Sequence, residues 1–456
     1  MVAQSAQRTG HAVVVGASMA GLLAARVLTE SFARVTVVDR DTLPDGPLAR
    51  RGVPQARHAH GLLARGREIL EDLFPGLTDD LVREHGAVAC DAQRDVAWFN
   101  DGHLLCQEAA DMIALSVSRP LLEWYVRTRL AAVPEVTIVT RAEALGLVAD
   151  EGASTITGVR VREGGTESTL DADLVVDATG RSNRGPTWLK ALGYAAPEEE
   201  KVDAGLTYVS STYRRKPDDY DGAAVVVGMT TGNPRGGVVV GVENDRWMVT
   251  LMGMGDDVAP TDQAGYLAYA AGLPVPDLHG VIDDAEPVEE PHRMRLPAST
   301  WRRYDKLRRF PAGLVVVGDA MCALNPAYAQ GMTTAAVEAD ALRTCLAAGR
   351  EDLARRYFRA AAKIIAIPWS ISVTADLRFP SVVGPRTGQV RFLNWYIGRL
   401  HRVAERDAAV GRAFLRVANL IDPPQKLFSP TIAVKVLRGR RPRRETVARV
   451  AGPEPA

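Results

Sequence analysis

Small residues follow the first apolar run of the chain at a spacing that suits a bound phosphate. Gly16, Ser18 and Gly21 come directly after His11–Val15 and open a helical pattern. Gly16 permits a tight turn and Gly21 a close helix–strand approach, so backbone amides and the positive helix end face an anion. Ser18 stands where glycine is usual, but its small side chain still allows approach and could donate a hydrogen bond. Asp39, 23 residues after Gly16, can accept from ribose hydroxyls, and the whole pattern predicts a dinucleotide site.

A second glycine turn follows a later apolar run. Gly318 and Asp319 come directly after Leu314–Val317, and Gly331 opens a further helical pattern. An aspartate at the end of a strand can accept hydrogen bonds from a polyol, and a helix start offers free amides and a positive dipole end. Such a helix end could stabilise the negative charge of a reduced flavin. Taken alone, this motif fits an ordinary strand–helix loop equally well.

Three segments together carry a family resemblance: GASMAG (16–21), DLVVDATGRS (173–182) and the GDA block that continues to NPAYAQGM (318–332). They resemble the fingerprints of flavoprotein monooxygenases, a group that includes the aromatic hydroxylases and squalene epoxidase. RRGVPQARHAH (50–60), SRPLLEWYVR (118–127) and the NP…QGM form are most similar to bacterial epoxidases that act on polyene precursors of polyether antibiotics. The resemblance covers roughly residues 11–345, and the C-terminal helices match loosely.

The resemblance implies FAD as the cofactor and assigns roles to particular residues. It implies that Arg119 contacts the FAD pyrophosphate or ribose, and that Asp319 contacts the ribityl chain. It places Pro326, Gly331 and Met332 along the isoalloxazine ring. The residues predicted to bind FAD are Gly16, Ser18, Gly21, Asp39, Arg40, Arg51, Arg119, Gly318, Asp319, Pro326, Gly331 and Met332.

The reaction implied by the resemblance is oxygen transfer to a hydrophobic natural-product intermediate of polyketide or polyene type. Reduced FAD would react with O₂ to give a C4a-(hydro)peroxide, and we predict that an alkene is epoxidised. Such a reaction needs no side-chain nucleophile, in keeping with a chain in which no Ser-His-Asp set or carboxylate pair stands out. Cys322 replaces a histidine of many aromatic hydroxylases, and no WxWxIP-like segment of the tryptophan halogenases occurs.

Other functions remain open at this point. The chain could be an aromatic hydroxylase, an FAD-dependent reductase that saturates a polyprenyl or polyene chain, or a flavin-binding carrier or sensor without turnover. No second glycine-rich turn suits a stably bound nicotinamide. NAD(P)H would therefore supply electrons by transient docking or through a partner flavin reductase, and we favour the partner.

The elements needed to position these residues form a doubly wound, Rossmann-like α/β FAD domain. His11–Val15, the helix after Gly21 and Arg34–Asp39 make a βαβ unit. From about 202 to 295, short β-branched runs at 223–229, 236–242 and 246–252 predict an inserted antiparallel substrate sheet. Prolines then interrupt C-terminal helices. We assign 1–85, 115–200 and 296–350 to the FAD domain, 86–114 and 201–295 to the substrate domain, and 351–456 to the helical region.

Composition excludes several classes of protein. Lys plus Arg and Asp plus Glu both number 55, so no net charge draws the chain to nucleic acid. The four cysteines show neither zinc spacing nor a disulfide framework. The polar first ten residues are unlike a signal peptide, and no apolar stretch is long enough to span a bilayer. We expect a cytoplasmic protein without a metal, whose Arg438–Arg444 region is a solvated tail.

Two further groups of side chains invite a functional interpretation. His58 and His60, in the loop that the resemblance places near the pyrophosphate and flavin, suggest a metal site or an acid–base pair. Without a third ligand, loop histidines that make hydrogen bonds are the favoured interpretation. The methionines Met229, Met248, Met252 and Met254 of the middle sheet suit either a core or the wall of a pocket for a flexible apolar substrate.

Overall fold

The structure is a computed structural model that describes residues 8–182 and 184–439. Twenty-one strands occur in the described residues. The first twelve are β1 (His11–Val15), β2 (Arg34–Val38), β3 (Gly61–Leu62), β4 (Val88–Asp91), β5 (Val96–Asn100), β6 (His103–Leu104), β7 (Ile113–Ser116), β8 (Val136–Val139), β9 (Ala142–Ala149), β10 (Ile156–Glu163), β11 (Thr166–Asp171) and β12 (Leu174–Asp177). The others are β13 (Glu199–Val202), β14 (Leu206–Arg214), β15 (Ala224–Val227), β16 (Arg235–Val242), β17 (Arg246–Met254), β18 (Pro287–Arg295), β19 (Ser299–Arg302), β20 (Leu314–Val316) and β21 (Cys322–Ala323).

Twelve α-helices lie in the same described ranges. They are α1 (Met19–Leu28), α2 (Ala64–Leu73), α3 (Leu77–Arg83), α4 (Arg119–Ala131), α5 (Arg184–Ala191), α6 (Gln263–Ala271), α7 (Asp277–Ile282), α8 (Gly331–Ala347), α9 (Leu353–Asp376), α10 (Gly388–Ala404), α11 (Ala408–Ala418) and α12 (Pro430–Arg438). Within these ranges, no helix combines the length and the apolar character needed to cross a membrane.

A five-stranded parallel sheet, in the order β20-β12-β1-β2-β8, carries the predicted dinucleotide turn. Every residue of β1 is buried, which is typical of a parallel strand covered on both faces. Helices α1 and α8 pack together beside this sheet, and the antiparallel sheet β11-β10-β9 contacts β12 and β2. The predicted mixed α/β fold class is confirmed, with small antiparallel sheets supplying part of the cover.

The middle of the chain forms a seven-stranded sheet in the order β18-β14-β17-β16-β15-β5-β6. The sequence predicted three of its strands, β15, β16 and β17, and missed β14 and β18. β5, from the predicted 86–114 segment, pairs in parallel with β15, whereas β4 and β7 pair with each other beside β3. Helices α6 and α7 pack on one face of the large sheet, and the opposite face turns toward the parallel-sheet unit.

The C-terminal helices α9 to α12 follow the predicted helical pattern. Pro368 lies inside α9 without ending it, while the chain turns between α9 and α10, where Pro380 and Pro385 stand. Trp369 of α9 packs against Trp301 of β19, with ring centroids 5.8 Å apart. Of the predicted arginine-rich tail, Arg438 ends α12, and Arg440 to Arg444 lie outside the described residues.

The close approach of α1 to the first turn makes a direct prediction. A Cβ at position 21 would overlap the backbone carbonyl oxygen of Gly16, so Gly21→Val must push the helix away from its strand. We expect purified Gly21→Val protein to keep its circular dichroism spectrum and lose the absorbance of bound FAD. The matched control is Gly280→Ala, in helix α7, where an added Cβ meets no atom within 4 Å. A Gly21→Val protein with full flavin content would contradict this packing argument.

Candidate active site

The turn between β1 and α1 is shaped by two glycines. Gly16 has φ +113°, a conformation that favours glycine, and a Cβ there would overlap the carbonyl oxygen of Ala178. Ser18 is the N-cap of α1, but its side chain makes no cap hydrogen bond, and the first turn carries no acidic residue. The backbone amides of this first turn are thus left without a capping side chain, and the positive helix end favours an anion.

Asp39, at the end of β2, holds the turn in place. It is buried, and its Oδ2 accepts a hydrogen bond from the amide of Ala17 at 2.7 Å. Its Oδ1 accepts from the amide of Asp41 at 2.9 Å and lies 3.5 Å from Nη1 of Arg50. The residue predicted to accept from a ribose therefore also fixes the strand-to-helix turn through its own carboxylate.

A buried ionic network closes over the start of α1. The Ser18 hydroxyl donates to Oε2 of Glu123 at 2.8 Å and accepts from Nη2 of Arg119 at 2.6 Å. Glu123 also pairs with Arg119 at 3.1 Å and with Nε of Arg50 at 2.7 Å. Burial would raise the pKa of Glu123, but the two guanidinium groups lower it below its usual value. The carboxylate stays charged and holds both arginines beside the turn.

Arg119 was predicted, and the structure brings it to Ser18. Arg50 and Glu123 were missed, although Glu123 follows Arg119 by one helical turn on the same face of α4. A carboxylate one turn after an arginine in a largely apolar helix is the signal that could have found the pair. Arg50 also pairs with Asp41 at 2.8 Å, so its charge is balanced within the network. Arg119, which donates to Ser18, is the cation held at this helix end.

The second glycine turn rests on a buried carboxyl group. Gly318 has φ +62°, and a Cβ there would press on the Cβ of Ala20 in α1. Its amide donates to Oε2 of Glu338, on α8, at 2.7 Å. Burial raises the pKa of Glu338 to about 7, against the opposing effect of that hydrogen bond. Asp319 is more exposed and pairs with Arg181 at 3.4 Å. The turn therefore has one partly exposed carboxylate, that of Asp319, and is hydrogen-bonded to a buried carboxyl group, that of Glu338.

The segment before α8 is held from behind by the end of α9. Oδ1 of Asn325 accepts from the amide of Ala327 at 3.0 Å, and its Nδ2 donates to both oxygens of Asp376 at 3.0 and 3.1 Å. The Tyr328 hydroxyl donates to Asp376 Oδ1 at 2.7 Å. Pro326 lies between these hydrogen-bonded residues and is exposed, so its ring faces outward while the backbone on either side of it is held by Asp376.

Gly331 and Met332, at the start of α8, follow this segment and lie beside it. Gly331 is exposed, and an added Cβ would meet no atom within 4 Å, while Met332 is 9% exposed. Gln330, the N-cap of α8, makes no side-chain cap hydrogen bond. The two glycine turns thus lie on one assembly of β1, α1 and α8, and each leaves a helix start without a capping side chain.

Comparison with known proteins identifies this arrangement. Residues 10–357 match the family described as FAD binding domain. The chain belongs to that family. "Protein Rv3254" of Mycobacterium tuberculosis (strain ATCC 25618 / H37Rv) is 35% identical over 430 residues, which cover 90% of each chain. The match confirms the predicted FAD-binding protein and, with the fold, the class of FAD-dependent oxidoreductase.

Solved structures of low sequence identity share the fold. The p-nitrophenol 4-monooxygenase PnpA from Pseudomonas putida DLL-E4 superposes with a TM-score of 0.65 at 17% identity, covering 90% of this chain and 98% of that one. PqsL, a probable FAD-dependent monooxygenase from Pseudomonas aeruginosa, gives 0.60 at 17% identity, with coverage of 80% and 97%. At this identity both similarities concern the fold.

The described residues fit FAD at the pyrophosphate end. The uncapped α1 start, the glycine turn that a Cβ would fill, and Arg119 together suit a dinucleotide diphosphate. Beside them, at the end of β2, lies a polar cavity of about 520 Å³. It is lined by the predicted Arg40 and Arg51 together with Asp41, Arg141, Glu143, Arg162, Gly164 and Gly165. Arg141 and Arg162 were not predicted, because β9 and β10 were not recognised.

The inner face of the large sheet turns toward the FAD unit. Because strand residues alternate between faces, Met252 and Met254 of β17 join the central apolar cluster, whereas Leu251 packs on the helical side. Tyr208 pairs in register with Met252 and also with Met294. This part of the sheet and Met332 belong to one apolar cluster. Met248 lies in a separate cluster, so the predicted methionine group is divided.

His58 and His60 behave as hydrogen-bonding loop residues. Nδ1 of His58 lies 2.7 Å from Oγ of Ser210, which is 2.6 Å from Oγ1 of Thr250, and Nδ1 of His60 lies 2.7 Å from the His58 carbonyl oxygen. Burial lowers the pKa of His58 to about 4. Neutral at physiological pH, His58 ties its loop to the hydroxyl-bearing part of the inner sheet face.

The ionic network predicts a difference between the free and FAD-bound protein. Glu123→Gln removes the charge that Arg50 and Arg119 share, so we expect the free protein to lose about 1–3 kcal/mol of unfolding free energy. If Arg119 contacts the pyrophosphate, loss of its pairing with Glu123 leaves its full charge to attract the phosphates, and FAD binds the variant more favourably than it binds the wild type. FAD should therefore raise the unfolding temperature of Glu123→Gln by more than it raises that of the wild type.

The control for this comparison is Glu68→Gln, which removes an exposed carboxylate paired with Arg65 at 3.1 Å. An exposed pair of this kind contributes less than about 1 kcal/mol, and its loss should leave the FAD effect unchanged. An equal or smaller FAD effect in Glu123→Gln would show that Arg119 does not contact the pyrophosphate.

The backing of Pro326 predicts a spectral change. Asp376→Ala removes the acceptor of three hydrogen bonds, and we expect it to lower the unfolding free energy by about 1–3 kcal/mol and to shift the visible absorbance of bound FAD. Tyr328→Phe removes one of these bonds and should produce a smaller change in the same direction. An unaltered flavin spectrum in a destabilised Asp376→Ala protein would show that Asp376 does not influence the flavin site.

Proposed function

We propose that this protein is an FAD-dependent monooxygenase that transfers one oxygen atom from O₂ to a hydrophobic natural-product intermediate, by epoxidation of an alkene. The observation that carries the proposal is the continuous apolar cluster that joins the inner sheet face to the start of α8. Bound FAD, once reduced, would supply the activation of O₂. NAD(P)H would supply the electrons, through a partner flavin reductase or by transient docking.

Three residues and one helix start have defined tasks at the predicted cofactor site. Arg119 supplies positive charge at the α1 start, next to the amides of the glycine turn. Arg50 joins Glu123 to Asp41 and so holds the network in place. The uncapped start of α8 offers amides and a positive dipole end to negative charge beside Pro326. Asp376 keeps the Asn325–Tyr328 segment rigid, so the wall beside the flavin does not yield when a substrate enters.

The sheet supplies the substrate side. Tyr208, Met252 and Met254 are buried in the central apolar cluster, and Met294 packs against it. Methionine side chains in such a cluster could repack around a flexible ligand. Apolar walls exclude water, which would otherwise divert activated oxygen to hydrogen peroxide. Alkene epoxidation needs no general base, whereas hydroxylation of a phenol is assisted by one; burial lowers the pKa of His58 to about 4 and makes its ring a weak base. These features favour an alkene over an aromatic substrate.

The test supplies labelled O₂ and reduced flavin to the purified protein with a polyene substrate and, separately, with a phenol. We expect one labelled oxygen per alkene, as an epoxide or the diol derived from it, and little product from the phenol. Gly21→Val protein, lacking FAD, is the control for oxidation by free reduced flavin.

Each competing function gives a different mass. If only the phenol gains a labelled hydroxyl, the protein is an aromatic hydroxylase and the epoxidation proposal is wrong. A product that gains two hydrogens without label would indicate the reductase, and the absence of turnover on all substrates would indicate a flavin carrier or sensor. Oxygen drawn from water would overturn the proposal directly.

A further inference from the structure

Exposed apolar side chains collect on the C-terminal helices. Of the eight large apolar residues that are exposed in the described part of the chain, six follow residue 380. Five of these define what we call the aromatic face: Phe392, Trp395, Phe428, Val434 and Leu437. Their exposed fractions lie between 38% and 55%, which is a large apolar area to leave in water.

The aromatic face is one connected surface. The ring of Phe392 lies 5.8 Å from that of Trp395 and 6.4 Å from that of Phe428, measured between centroids. The guanidinium of Arg399 stands over Trp395 at 5.5 Å and donates to the carbonyl oxygen of Leu437 at 3.1 Å. Val434 precedes Leu437 by three helical residues, and both are exposed on α12. Helices α10 and α12 therefore present their apolar residues side by side.

The three elements that carry this face hold charge of one sign, while the acidic Glu405, Asp407 and Asp422 lie in the adjoining turns, each paired with a basic or histidine side chain. Helix α10, the short helix Pro424–Phe428 and α12 contain no aspartate or glutamate in their sequences. They contain six basic residues: Arg391, Arg399, Arg402, Lys426, Lys435 and Arg438. Lys435 pairs with Asp407 of the neighbouring loop, at 2.8 Å. In a chain whose basic and acidic residues are equal in number, this concentration of positive charge beside aromatic rings indicates an anionic, partly apolar partner.

We propose that the aromatic face binds the surface of an anionic phospholipid bilayer. Aromatic rings lie favourably at the level of lipid headgroups, and basic side chains at the same level attract lipid phosphates. The association is peripheral, since none of the helices in the described ranges can span a bilayer. A second copy of the chain fits less well, because a two-fold contact would place these basic residues against themselves without acidic partners on the three elements.

The experiment measures sedimentation of the full-length, FAD-loaded protein with vesicles. Phosphatidylcholine vesicles containing phosphatidylglycerol are compared with vesicles of phosphatidylcholine alone. We expect binding to the anionic vesicles, weakened by added salt. Because one basic residue near an anionic surface contributes roughly a fivefold change in partitioning, Arg391→Glu/Arg402→Glu should reduce binding at least tenfold. Phe392→Gln/Trp395→Gln should also reduce it and should abolish a shift in tryptophan emission.

Matched controls keep the test specific. Lys190→Glu reverses an exposed charge on α5, and Leu48→Gln removes an exposed apolar side chain remote in sequence from the face. Both should bind vesicles as the wild type does, and every variant should keep its FAD content and unfolding temperature. Failure of the wild type to bind anionic vesicles, or equal binding by all variants, would overturn the proposal. So would a stable dimer that only the aromatic-face variants dissociate, since the face would then contact a second copy.

Discussion

At Gly21, helix α1 approaches the backbone just after β1 with no side chain between them, because Gly21 faces the carbonyl oxygen of Gly16. Gly16 in turn lies against the carbonyl of Ala178, and Gly318 against Ala20 of the helix. Three backbone segments, from β1, β12 and β20, thus converge on the start of one helix. The amides at the start of α1 can face one anion only while the distances between these backbone segments are kept. Asp39 and Glu338 keep them by accepting hydrogen bonds from backbone amides of the two glycine turns.

The parts of the molecule that could be predicted are local in sequence. Alternating and helical patterns place β1, α1, β2 and the Gly318 turn because each depends on residues next to it. Glu338 and Asp376 were missed because their partners lie on other elements. Glu123 has Arg119 on its own helix, but its other partners, Ser18 and Arg50, lie elsewhere. Each is an acidic residue on the buried side of a helix, and such a position is the available signal. Burial of a carboxyl group requires a partner, but the sequence does not say which.

The sheets show the same limit. β14 and β18 were not recognised, although both belong to the large sheet, and β18 is mostly exposed with four charged residues in its sequence. An edge strand of this kind lacks the apolar run by which a buried strand is recognised. β5 was assigned to the substrate domain, but the sequence did not indicate that it pairs in parallel with β15, because the paired residues lie more than a hundred positions apart. Where the domains divide stays a prediction.

The order of the strands in the parallel sheet has a consequence for synthesis. β1 and its neighbour β2 are separated in the chain by one helix, but the other neighbour of β1, β12, begins at Leu174, and β20, beside β12, begins at Leu314. Until then the nascent chain carries a strand that is apolar on both faces and lacks one neighbour. Long-range pairing of this kind is slow and exposes unpaired strand edges. The interval between synthesis of β1 and synthesis of Leu174 is therefore a period in which the chain is open to aggregation through this strand edge.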